Sequence, residues 1–76
     1  MKELLEVIAK NLVSYPDQVT VTEIPGDKSL VLELKVAPED MGKVIGKQGR
    51  IAKAIRTVVK AAAIHEDKRI VVEIIQ

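Results

Sequence analysis

Two glycines three residues apart, in the run Val44-Ile45-Gly46-Lys47-Gln48-Gly49-Arg50-Ile51, are the residues of this sequence best placed to do chemistry, and that chemistry is the holding of an anion. Gly46 can take the left-handed backbone that ends a helix. Gly49 leaves the chain bare where a following helix presents unpaired N–H groups. A phosphate fits there, and the two side chains between the glycines, the cation Lys47 and the amide Gln48, do not repel it.

The distribution of charge supports the same chemistry. The chain carries a net charge of only +1, yet Lys43, Lys47, Arg50, Lys53, Arg56 and Lys60 fall between Gly42 and Ile64 with no acidic residue among them. The remainder holds six basic and eleven acidic residues. Segregation of this kind is expected when one face meets a polyanion and the rest stays solvated.

Other chemistries fail on residue type. From Gly42 to Lys47 the spacing superficially resembles a nucleotide-binding P-loop, but three residues separate the glycines where four are needed, and Gln48 stands where Ser or Thr must hold magnesium. One histidine and no cysteine leave no nucleophile–base pair and no transition-metal ligand set. His65 sits beside Glu66 and Asp67 in a turn and reads as a solvated loop residue. The chain is therefore expected to be no enzyme and to carry no cofactor or metal.

Seventy-six residues make one small domain, and 47% apolar composition is too much for a disordered chain. At about 0.05–0.15 kcal/mol per residue, its stability should be about 4–11 kcal/mol. No apolar run approaches the length of a membrane span, and the start Met1-Lys2-Glu3-Leu4 lacks the apolar stretch of a signal peptide. The expected location is cytoplasmic.

The elements that must position the glycines can be read in order. Glu3 to Ser14 has helical spacing, with Leu5, Ile8, Ala9 and Leu12 on one side, and Pro16 ends it. Tyr15, the sole aromatic residue, reads as packing at that helix end. Gln18 to Ile24 and Ser29 to Val36 read as strands joined by the turn residues Pro25-Gly26-Asp27-Lys28. Leu30, Leu32, Leu34 and Val36 give the second strand one apolar face. Pro38 opens a short helix running to about Ile45. Beyond the glycines, Ile51, Ala52, Ile55, Val58, Val59 and Ala62 form a helical stripe expected in the core, and Ile70 to Ile75 forms a last strand.

The order is α-β-β-α-α-β. A helical crossover makes the second and third strands parallel, places the second strand centrally and gathers all three helices on one face of a three-stranded mixed sheet. This order, with Ile45, the Gly46-Lys47-Gln48-Gly49 loop and Ile51, resembles the type II KH fold, an α+β class, over nearly the whole chain. The run from Val36 to Arg56 is similar to the small single-domain bacterial KH proteins of the KhpA family.

By that resemblance the chain binds single-stranded RNA, clamping about four nucleotides with the GXXG loop. Gly46 and Gly49 would permit close approach while Lys47, Gln48 and Arg50 meet phosphates. Lys43, Lys53 and Arg56 would widen the positive field, and Ile45 would contribute to an apolar groove for the bases. The near absence of aromatic residues fits this mode, since rival RNA-binding folds stack bases on exposed rings. Single-stranded DNA is left open as a ligand. Family members form homodimers and associate with larger KH proteins of the KhpB or Jag type, with roles in RNA-level regulation, RNA chaperoning and cell-envelope growth and shape. A dimer is expected here too, or alternatively an adaptor for such a partner. Val31, Val71 and Ile75, on the sheet face away from the helices, are the expected surface.

Overall fold

The computed structural model describes residues 1–75. Helix α1 (Lys2–Leu12) buries Leu5 and Ala9 and ends at Val13, whose backbone is extended. It stops short of the expected Ser14 because the chain must turn ahead of Pro16, and a single 3-10 turn, Pro16–Gln18, carries it into the sheet. Strands β1 (Thr20–Pro25) and β2 (Ser29–Lys35) pair antiparallel, with the Gly26 N–H donating to the Ser29 carbonyl at 2.7 Å to close the hairpin. A second 3-10 turn, Pro38–Asp40, leads into helix α2 (Met41–Ile45), followed by helix α3 (Arg50–Ala62) and strand β3 (Arg69–Ile75).

The sheet order is β1-β2-β3, with β2 parallel to β3, as the crossover requires. Register places Leu30, Leu32 and Leu34 beside Ile70, Val72 and Ile74 on the helix-covered face. Leu5, Leu32, Leu34, Val44 and Val59 are wholly buried there, which fixes α1, α2 and α3 against one side of the sheet. That single core holds the two helices on either side of the glycine loop in place.

Two expectations about the core need correction. Helix α3 turns Ala52, Ile55 and Val59 toward the core, joined by Ala63 just beyond it, so Val58 lies off that stripe and is 49% exposed; Ala62 is exposed as well. The apolar sector of α3 is wider than the surface available to cover it. Tyr15 is 43% exposed, and its backbone N–H makes the buried contact described below.

On the open sheet face, Val31, Val71 and Ile75 are half-buried within the chain itself. Register sets Glu33 of β2 beside Glu73 of β3 between them.

Candidate nucleic-acid interface

The backbone around the glycines is more specialised than a helix cap. Helix α2 closes with the Gly46 N–H donating to the Gly42 carbonyl at 2.9 Å, and Gly46 itself has φ 76° and ψ 177°. This is positive φ with extended ψ, a region essentially confined to glycine, and it replaces the left-handed cap expected at this position. A Cβ added to Gly46 would lie 2.6 Å from Cγ1 of Ile51. Glycine is required twice over, by backbone angle and by the close packing of Ile51.

The next residues form a tight turn, Lys47–Gly49, closed by the Gly49 N–H on the Gly46 carbonyl at 3.2 Å. Gln48 (φ 58°, ψ 23°) and Gly49 (φ 74°, ψ 16°) are both left-handed, and α3 starts at Arg50. No side chain caps α3, whose first N–H, that of Arg50, already donates to the Lys47 carbonyl, and the start of this 13-residue helix is its positive end, where an anion is favoured. A Cβ at Gly49 would meet nothing within 4 Å, so the space before it is open. Lys47, Gln48 and Arg50 are exposed around that space, and the Arg50 guanidinium donates to the Gln48 side-chain oxygen at 3.3 Å. Lys53 is exposed one turn further along α3.

The structure does not bring every basic residue of the segment to the loop with a free head group. The Lys43 ammonium lies 3.4 Å from the Asp40 carboxylate and donates to the Ser14 hydroxyl. Arg56 donates from Nε to the Val72 carbonyl of β3 at 3.2 Å. Ile45 is 37% exposed on α2. An apolar groove of about 350 Å³ lies instead between α1 and α3, lined by Ile8, Leu12, Ile51, Ala54, Ile55 and Val58 together with Arg50, and does not include Ile45.

Asp40 is the residue the sequence did not single out for this region. It is fully buried, and its two oxygens accept from the backbone N–H groups of Ser14 and Tyr15, each at 3.0 Å. These bonds tie the end of α1 to the start of α2, the helix that delivers the loop. Nothing local marks the role, because the partners are 26 and 25 positions away. Burial pushes the Asp40 carboxyl up, but the two backbone donors and the Lys43 ammonium outweigh it and hold the pKa below the ordinary 3.8. A depressed native pKa gives stability that is present above the unfolded value and lost as pH falls through the native one. Asp40→Asn leaves one of the two N–H donors facing an amide NH2, so its thermal midpoint at pH 7 should fall by several degrees. The gap to the parent should narrow below about pH 4, where the parent carboxylate starts to protonate. Thermal melts from pH 7 to pH 2 check this, and a pH-independent gap would exclude the charged role.

An antiparallel β1–β2 pair, β3 parallel to β2, and a Gly-x-x-Gly loop between α2 and α3 define a KH domain in its type II arrangement. The model of the family described as KhpA/KhpB, KH domain, matches residues 2–74, and the chain belongs to that family. It is 75% identical over 75 residues to the RNA-binding protein KhpA of Clostridium acetobutylicum, covering 99% of this chain and 100% of that one. The RNA-binding protein KhpA of Clostridium perfringens is 73% identical over 99% of this chain and all of its own. That of Aquifex aeolicus is 51% identical over 100% of this chain and 96% of its own. These relatives carry the names of binding proteins, not of enzymes. No solved structure matches the chain. Among the described residues, no helix is long and apolar enough to cross a membrane.

Proposed function

We propose that this protein binds single-stranded RNA, with the sugar–phosphate backbone on the loop from Gly46 to Gly49. The observation that carries the reading is the pair of left-handed residues, Gln48 and Gly49, opening into an uncapped helix with Lys47 and Arg50 exposed beside it. Backbone N–H groups there donate to a phosphate regardless of base, and Lys47, Arg50 and Lys53 supply the charge. Bases turn toward Ile45, which is exposed beside the loop. Lys43 and Arg56, already bonded within the protein, add to the field. The names of the relatives support RNA as the ligand, and a part in RNA-level regulation is proposed with it.

Pairing of two copies fits the same function, because two linked clamps on one strand gain from effective concentration. The open sheet face is less suited to it, since self-pairing would bury Glu33, Glu73 and Lys35 of both copies. The uncharged stretch of the α1–α3 groove, with Leu12 and Val58 exposed, suits a second copy better. The family model, which spans KhpA and KhpB domains, supports a second KH protein as the alternative occupant.

One experiment addresses both statements. A clamp that neutralises three or four phosphates should give a slope of log K against log salt of about −2 to −3, at about −0.7 per phosphate, and two clamps on one strand about twice that. Light scattering of the same samples should return the mass of two chains. A flat salt dependence overturns the phosphate clamp, and a one-chain mass at micromolar concentration overturns the pairing. Single-stranded DNA of the same sequence, used as competitor, tests the preference for RNA.

A further inference from the structure

Lys60, Ala63, Lys68, Arg69 and Ile70 line a pocket of about 280 Å³ where the C-terminal end of α3 meets the start of β3. Three of these five residues are cations, all exposed, and among the described residues none has a carboxylate within 4 Å. Glu66 and Asp67 lie in the adjoining turn without ion-pairing to them. The carbonyl end of a helix attracts cations on its own account, which explains Lys60. It does not explain Lys68 and Arg69, which arrive from the other side of the turn. Arg69 is held there by its own N–H, which donates to the Lys28 carbonyl at 3.0 Å and brings a further basic residue to this end of the sheet.

The pocket is joined to the glycine loop by charge. Arg50, Lys53 and Lys60 are exposed on one side of α3, and Lys60 stands ten residues beyond Arg50, about 15 Å along the helix axis. A strand leaving the loop along α3 meets no acidic residue on that helix before it reaches the pocket.

We infer that this pocket is a second phosphate site, taking a phosphodiester group of the same RNA strand beyond the nucleotides held at the loop. The inference rests on the RNA-binding reading above and extends it: a tetranucleotide fills the loop alone, whereas a longer strand engages both ends of α3.

The test compares a tetranucleotide with a strand of about twelve nucleotides, on the parent chain and on a variant carrying Lys60→Gln, Lys68→Gln and Arg69→Gln. The tetranucleotide should bind both proteins within about twofold. The longer strand should bind the variant about fivefold more weakly, with a salt slope shallower by about 0.7 to 1.4, one or two phosphates' worth. An unchanged affinity for the longer strand overturns the inference, as does equal weakening for both lengths. If inorganic phosphate alone shifts the amide resonances of Lys60, Lys68 and Arg69 while the long-strand slope stays unchanged, the pocket is a site for free phosphate, and the inference also fails. A chain with Asp at both Lys47 and Gln48 separates the two readings. If it still binds both RNAs, the loop reading is wrong; if it loses both while the triple variant does not discriminate between lengths, only the pocket is wrong. Should the triple variant unfold, Lys60→Gln alone, on an exposed helix face, gives the same comparison with a smaller shift.

Discussion

Replacing Lys47 and Gln48 together by Asp should weaken RNA binding by on the order of 100-fold, to the edge of detection, and leave the fold unchanged. Both side chains are exposed, and neither touches the core. Gln48 is left-handed at φ 58°, a conformation that Asp adopts more readily than most residues, so the backbone has no reason to move. What changes is the field at the start of α3: one cation is lost and two anions arrive beside the N–H groups that should receive the phosphate. The Arg50 guanidinium, now bonded to the Gln48 oxygen, would pair with the new carboxylate and be withdrawn further. Fluorescence anisotropy with a labelled RNA, read beside circular dichroism, checks both halves. A folded double variant that keeps its affinity would exclude the loop as the phosphate site.

Gly46→Ala should be the most damaging single methyl in the chain. The new side chain must occupy φ 76° with ψ 177°, a strain of about 1–3 kcal/mol, and its Cβ lies 2.6 Å from Ile51 Cγ1. Forcing Ile51 aside adds an overpacking cost of about 1–3 kcal/mol. Together these remove about 2–6 kcal/mol from a domain expected to have only about 4–11 kcal/mol. Gly49→Ala makes the contrast. It also sits at positive φ, costing about 1–2 kcal/mol, but it meets no neighbouring atom. That variant should remain folded while placing a methyl in the space the RNA backbone needs. Urea unfolding should show a much larger midpoint loss for Gly46→Ala than for Gly49→Ala, and RNA titration of the folded Gly49→Ala protein should show weakened binding. Equal stabilities would mean that the contact with Ile51 does not constrain the loop.

The topology was legible from pattern because each element has a period of its own. Alternation of Leu30, Leu32, Leu34 and Val36 marks a half-covered strand, and the helical crossover that follows permits only a parallel return. Element ends were less legible. Val13 and Ser14 leave α1, and Arg69 joins β3, for reasons that lie in the neighbouring turn and the paired strand. Gly46 was legible as a positive-φ position but not as one with an extended ψ, and Gln48, which carries no such signal, took a left-handed turn position.

What the sequence determined alone, then, is the order of elements, the side of the sheet that is covered, and the concentration of positive charge around two glycines. These depend on local periodicity and on residue type, which one chain displays in full. The tertiary structure decided which of those charges are available. Lys43, Lys47, Arg50, Lys53 and Arg56 are all exposed, but Lys43 is engaged by Asp40 and Ser14 and Arg56 by the Val72 carbonyl, whereas Arg50 bonds only to Gln48 within the loop and, among the described residues, Lys47 and Lys53 bond to no other side chain. It also decided that Val58 faces outward and that Lys60, Lys68 and Arg69 share one pocket. The bonds of Lys43 to Ser14 and of Arg56 to Val72 join residues distant in sequence, and such contacts are set by how helices and strands pack, a choice that no local pattern of residues encodes.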